Sequence, residues 1–140
     1  MSNPQTPVSP ETWTKGPYLI STDTSLVQPQ ILNEWFASDE FYWANSLPLN
    51  VLEKMIQNCL CLGLYYQPSK PQESGAKTDL EFIGIARCIT DYTTFVYLTD
   101  VYVHSDHQGK GLGSWLVKCV GEIIDTMPYV RRIRYVAYAL

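Results

Sequence analysis

The residues best suited to chemistry form one polar stretch, residues 99–114, in the last third of the chain. Glycines at positions 109, 111 and 113 allow tight backbone turns whose N–H groups face outward. An amphipathic segment follows, and the N-terminus of a helix carries a partial positive charge. Lys110 adds a full charge beside it. The stretch is therefore suited to binding an anion such as a diphosphate.

Three glycine-loop chemistries could use this stretch, and residue spacing separates them. A Walker A loop needs G-x-x-x-x-G-K-[ST], which does not occur here. A dinucleotide-binding fingerprint needs G-x-G-x-x-G within a βαβ unit, whereas the spacing here is G-x-G-x-G after an expected antiparallel strand. The third is the acetyl-CoA loop, Q/R-x-x-G-x-G/A, which is matched by Gln108-Gly109-Lys110-Gly111-Leu112-Gly113. With a strand-like segment before it and a helical pattern after it, the sequence resembles the GCN5-related N-acetyltransferase (GNAT) superfamily.

This resemblance covers roughly residues 18–134 and implies an α/β fold of the α+β layered kind, with a mixed, mostly antiparallel sheet flanked by helices. It also implies acetyl-CoA as cofactor and an amine, on a small molecule or a peptide, as acceptor. In the superfamily, the strand before the loop carries a bulge, and its free backbone groups pair with the amides of pantetheine. By resemblance, Val101, Tyr102 and Val103 would do this here, and the backbone N–H groups of the loop would bind the pyrophosphate. The loop positions concerned are Gln108, Gly109, Lys110, Gly111, Leu112, Gly113 and Ser114.

The catalytic residues are less clearly indicated. Many superfamily members use a glutamate on the strand before the loop, and Tyr97 occupies that position here. Asp100 is the nearest carboxylate, and it could act as a general base or have a structural role in a turn or bulge. His104 and His107 lie in the loop and could titrate near neutrality. Tyr42-Trp43 would face the acceptor, or would simply pack in the core.

Periodicity predicts the elements that position these residues. Apolar residues recur at helical spacing over residues 27–37, 48–59 and 112–127. Strands are expected at residues 18–22, 60–66, 82–90, 94–103 and 133–140, because these segments are rich in β-branched and aromatic residues. The last strand should lie parallel to the one before it, since a helix crosses between them.

In the superfamily, the strand after this helix is usually followed by another helix and two strands, and that region often supplies a tyrosine acid. The present sequence reaches only Leu140. An uncovered edge strand favours self-association, so a homodimer formed through the C-terminal strand is expected. Three functions remain open: direct acetyl transfer to a primary amine in a ternary complex, a weak or inactive CoA-binding domain acting as a dimer, and a nucleotide-binding regulator.

Composition sets broader limits. A chain of 140 residues, 46% of them hydrophobic, is sized for one domain, and we expect a disordered tail over residues 1–16 and a single domain over residues 17–140. The net charge of −4 argues against a nucleic-acid surface. No apolar run is long enough for a membrane span, so the cytosol is expected, with the nucleus possible. The four cysteines should be reduced, packed thiols and no metal site is expected.

Overall fold

The sheet is the central element of the fold. A computed structural model describes residues 10–39, 45–68 and 80–135. In the described chain the sheet has six strands, in the order in which they occur in the sequence. They are β1 (Thr12–Lys15), β2 (Tyr18–Ser21), β3 (Leu60–Tyr66), β4 (Glu81–Thr90), β5 (Phe95–Val103) and β6 (Arg132–Tyr135). Neighbouring strands are antiparallel except β5 and β6, which are parallel. The mixed, mostly antiparallel α/β fold is therefore confirmed, including the predicted parallel last pair.

Three α-helices cover the sheet: α1 (Pro29–Phe36), α2 (Leu49–Gln57) and α3 (Leu112–Ile124). They fall inside the three segments predicted from periodicity. The two faces of the sheet carry separate hydrophobic clusters. One cluster joins α3 to the sheet through residues such as Leu62, Ile83, Val96, Leu116 and Val120. The other joins α1 and α2 to the opposite face through residues such as Leu32, Trp35, Leu52, Ile85 and Tyr102.

The N-terminal boundary of the folded part differs from the prediction. Residues 1–16 were expected to be a tail, but residues 12–15 form β1, an edge strand that pairs with β2. Three of its four residues are exposed, so hydrophobicity gave no signal, and the pairing depends on the turn at Gly16, whose φ is +58°. Residues 1–9 lie outside the described part, as do residues 136–140 of the predicted last strand.

A bulge in β5 changes which residues face which side of the sheet. Arg87 pairs with Asp100 and Cys88 pairs with Leu98, so Thr99 is an extra residue on β5. Before the bulge, Val96 and Leu98 pack towards α3, and after it Val101 and Val103 do so. Because side chains alternate along a strand, the extra residue places Tyr97 and Asp100 on the same face, the one covered by α1 and α2.

Candidate functional site

The loop between β5 and α3 has the geometry expected of an anion-binding turn. Gly109 and Gly111 have φ values of +81° and +76°, in the left-handed region that glycine adopts without strain. Gly111 is the N-cap residue of α3, so the loop leads directly into the positive end of the helix dipole. A Cβ atom added to either glycine would meet nothing within 4 Å. The space above the turn is therefore open to a ligand.

The backbone N–H groups of this turn have no protein acceptor. From Gly109 to Ser114, none donates a hydrogen bond to another residue in the described ranges. The first intrahelical bond of α3 is donated by the next residue, Trp115, whose N–H reaches the Gly111 carbonyl oxygen at 3.0 Å. Such a run of unpartnered donors at a helix start can donate hydrogen bonds to an anion.

A pocket of about 260 Å³ lies over these amides. It is lined by Val103 at the end of β5, by His107, and by loop and helix residues that include Gln108, Gly111 and Ser114. Leu112 also lines the pocket, although it packs in the α3 cluster and is only 3% exposed. The pocket thus joins the end of β5 to the amide-rich start of α3, as the resemblance implies for a cofactor that runs along both.

Gln108 stabilises the loop through hydrogen bonds to residues just before it. Its side-chain Nε2 donates to the Val103 carbonyl oxygen at 2.7 Å, and its backbone N–H donates to the Ser105 carbonyl oxygen at 3.4 Å. The side-chain Nε2 and the backbone N–H of Gln108 therefore both donate within the protein, so the unpartnered amides begin at Gly109, one residue later than predicted from the sequence. Gln108 holds the loop against the strand, and the glycine-rich residues after it present the donors.

Tyr18, which was not among the predicted site residues, contacts the same loop from β2. Its hydroxyl oxygen lies 3.2 Å from His107 Nδ1 and accepts a hydrogen bond from Lys110 Nζ at 3.4 Å. The His107 ring packs edge-on against Tyr18 and also lies 5.1 Å from the Tyr66 ring, measured between centroids. A strand about 90 residues away in sequence therefore anchors the loop, and no local pattern could have revealed this contact.

β5 contributes the other half of the predicted cofactor site. Its residues Val101, Tyr102 and Val103 pair with β4 on one side. On the other side, Phe95–Leu98 pair with β6 up to Tyr135, the last residue of β6 that the structure describes.

The predicted catalytic carboxylate, Asp100, forms an ion pair. Arg87 Nε lies 2.6 Å from Asp100 Oδ2, and the two side chains are only 15% and 5% exposed. Arg87 also donates through an Nη atom to Cys59 Sγ at 3.4 Å. Tyr97 is half-buried on the same face, opposite Ile89 of β4. The structure therefore brings the two predicted catalytic residues to one face, but it gives Asp100 a tightly held charged partner.

The remaining candidates have local roles or lie outside the described residues. His104 caps the short turn before the loop, where its Nδ1 accepts from the Asp106 N–H at 3.2 Å. Tyr42-Trp43 are outside the described ranges, so their predicted acceptor role is untested.

The cysteines behave as packed thiols. All four are free, and Cys61, Cys88 and Cys119 are buried. Burial raises the pKa of the Cys61 and Cys88 thiols to about 12, so they stay protonated and weakly reactive. Among the described residues no group of His, Cys, Asp and Glu side chains could hold a metal ion. In the same ranges, no helix has the length and apolar character needed to cross a membrane.

Comparison with known proteins identifies the family. A profile of the acetyltransferase (GNAT) family matches residues 29–137. A protein of Gibberella zeae, FG08082, which carries a provisional acetyltransferase name, is 38% identical over 130 residues, spanning 89% of this chain and 73% of its own. A crystal structure from Xanthomonas campestris pv. campestris, described as a provisional GNAT-family acetyltransferase, superposes with a TM-score of 0.69 at 28% identity, covering 86% of this chain and 75% of that one.

Arabidopsis thaliana NAA60, solved with a bisubstrate analogue, shares the fold at a TM-score of 0.54 and 13% identity, with 78% of this chain and 70% of that chain covered. The profile match over most of the chain, the close relative and the common fold show that this chain belongs to the acetyltransferase (GNAT) family.

Proposed function

We propose that this protein transfers an acetyl group from acetyl-CoA to a primary amine, directly and within a ternary complex. The observation that carries the proposal is the run of unpartnered amides from Gly109 to Ser114, open to a pocket at the positive end of α3. Diphosphate is the group in acetyl-CoA that such a site suits. Membership of the family supports acyl transfer in general. The choice of acetyl-CoA as cofactor and the direct mechanism are part of our proposal.

The residues present fit acetyl-CoA. The open space above Gly109 and Gly111 leaves room for phosphate oxygens at hydrogen-bonding distance from the amides, which side chains at these positions would obstruct. The backbone of residues 101–103 would hold the pantetheine arm beyond the bulge. Acetyl-CoA supplies a thioester, whose carbonyl carbon an amine can attack with release of the CoA thiol.

The chain's own groups then have separate tasks. We assign Asp100 a positioning role: its ion pair with Arg87 ties β5 to β4 next to the bulge, and its burial keeps it from an incoming amine. We assign Tyr97 the role of proton donor to the leaving thiolate, because a phenol hydroxyl can act as a general acid towards a thiolate. The proton lost by the amine passes to water.

Ligand-dependent melting tests the binding step. Acetyl-CoA and CoA should raise the melting temperature, and ATP should not, because only a ligand selective for the native state stabilises it. A Gly111→Trp variant should lose the response to acetyl-CoA, since the indole would fill the open space above the turn. Equal stabilisation by ATP would instead favour the nucleotide-binding regulator.

Thiol release with a panel of amines tests the chemistry. Tyr97→Phe should lower kcat by about 100-fold, the lower end for loss of general acid catalysis, and leave the acetyl-CoA KM within about twofold. Binding of acetyl-CoA without thiol release for any amine would support the second candidate, a weak or inactive CoA-binding domain. The observation that favours this candidate is that the predicted catalytic carboxylate, Asp100, is already held by Arg87.

Self-association through the C-terminal strand is a further part of the proposal. β6 has β5 as its described neighbour on one side, and edge strands tend to pair with other chains. Light scattering after size-exclusion chromatography should give the mass of a dimer at micromolar concentration, and a stable monomer would contradict it. The cytosol, with the nucleus as alternative, is the proposed compartment, and a fluorescent fusion would show it.

A further inference from the structure

A basic side chain from the N-terminal hairpin lies beside the start of α3. Lys15 is the last residue of β1 and pairs with Tyr18 across the hairpin. Partners in an antiparallel pair project from the same face, and here that face is the one covered by α3, because Tyr18 packs against the α3 cluster. Lys15 Nζ lies 5.9 Å from the ring centroid of Trp115, in the first turn of α3. The hairpin therefore brings an ammonium group to the helix N-terminus.

A second ammonium group approaches the same place from the loop. Lys110 Nζ donates to the Tyr18 hydroxyl at 3.4 Å, and that hydroxyl also contacts His107, which lines the pocket above the free amides. Tyr18 thus connects the hairpin that carries Lys15 with the loop that carries Lys110. Both ammonium groups therefore lie near the start of α3, one beside Trp115 and the other beside Tyr18.

Neither lysine has a carboxylate partner within the described ranges. The ion pairs found there are Arg87 with Asp100 and His104 with Asp106. Asp106 is the acidic residue closest in sequence to Lys110, and its side chain is 81% exposed and directed at His104. In a chain with 14 acidic and 10 basic residues, two uncompensated lysines next to an anion pocket leave a local excess of positive charge.

We propose that Lys15 and Lys110 bind the phosphate carried on the ribose 3′-hydroxyl of CoA. This inference rests on the proposed function. The free amides after Gln108 suit the diphosphate, whereas a terminal phosphate monoester carries more charge and favours full positive charges. The hairpin of β1 and β2 is then part of the cofactor site, and it makes the site selective for CoA over 3′-dephospho-CoA.

Binding of CoA and of 3′-dephospho-CoA, measured by titration calorimetry, tests the proposal. The wild-type chain should bind CoA about tenfold more tightly than 3′-dephospho-CoA, the effect of a good charge-assisted contact. In Lys15→Gln this ratio should fall towards about one, with the affinity for 3′-dephospho-CoA unchanged within about twofold. Lys110→Gln should lower the ratio as well. Lys54→Gln on α2 is the matched control, because it makes the same charge change on the opposite face and should keep the wild-type ratio.

The outcomes are distinct. An unchanged CoA preference in both Lys15→Gln and Lys110→Gln would overturn this inference and leave the proposed function standing. An equal loss of preference in Lys54→Gln would also overturn it, because the effect would then come from net charge. If the wild-type chain bound neither ligand, the proposed function itself would fail.

Discussion

Removing the charge of Asp100 distinguishes a positioning role from a catalytic one. Its carboxylate accepts from Arg87 Nε at 2.6 Å, and the side chains of the pair are 5% and 15% exposed. Asp100→Asn keeps the shape of the side chain but leaves the Arg87 guanidinium without its anionic partner. The sulfur of Cys59, 3.4 Å from an Arg87 Nη atom, is a weak replacement.

The expected cost follows from the burial of the pair. Removing one partner of a buried ion pair costs about 3–5 kcal/mol, and the partial exposure of Arg87 places this case nearer 3 kcal/mol. A domain of this size has an unfolding free energy of roughly 5–15 kcal/mol, so Asp100→Asn should still fold. The double variant Arg87→Met/Asp100→Leu removes both charges, and its stability should return to within about 1 kcal/mol of wild type.

Urea denaturation combined with a thiol-release assay measures both effects. If Asp100 only positions β5, the double variant should recover kcat together with stability, and the pH profile of kcat should keep its wild-type shape. If Asp100 removes the proton from the amine, the double variant would be stable but slower by about 100-fold or more, and the acidic limb of its pH profile would change. That result would refute the positioning role.

Three further predictions concern stability. Gly63→Ala should destabilise the protein by about 1–3 kcal/mol in urea denaturation, because the new Cβ would overlap the hydroxyl and ring of the buried Tyr65. Wild-type stability would contradict this packing. Gly121→Ala should stabilise by about 0.5–1 kcal/mol in the same assay, since it lies inside α3 and its Cβ would meet nothing within 4 Å. Hydrogen bonds from Thr94 and Thr93 lower the pKa of Asp91 from its ordinary 3.8. The ionised carboxylate therefore stabilises the folded state above that pH, and this stabilisation is lost as the pH falls below it. In Asp91→Asn the unfolding free energy should therefore depend less on pH between about pH 4 and 2, and an unchanged slope would show that Asp91 contributes nothing.

Local sequence carried enough information for the three α-helices, for β2 to β6 and for the glycine-rich loop. The three helices have clear apolar periodicity, and the glycine spacing at the start of α3 corresponds to observed positive φ values at Gly109 and Gly111. The glycine-rich part of the candidate site could be predicted because it is built from one continuous segment. Backbone donors also depend little on which side chains surround them.

Contacts between distant segments could not be predicted in the same way. The resemblance implied a bulge on the strand before the loop, but the position of the extra residue at Thr99, on which the pairing of Arg87 with Asp100 depends, leaves no simple mark in the sequence. β1 is short, polar and exposed, so its strand character comes from its partner β2. For that reason local patterns placed residues 12–15 in a tail. The contact of Tyr18 with His107 joins segments that are far apart in sequence, so no local pattern indicates it either.

The central claim is that the amides at the start of α3 bind the diphosphate of acetyl-CoA. A titration of the ¹⁵N-labelled chain with CoA, followed by amide chemical shifts, tests it most directly. We predict that the largest shifts occur in the amides from Gly109 to Ser114, with smaller ones at residues 101–103. Saturable binding that leaves the amides of the Gly109 to Ser114 loop unshifted would contradict the account.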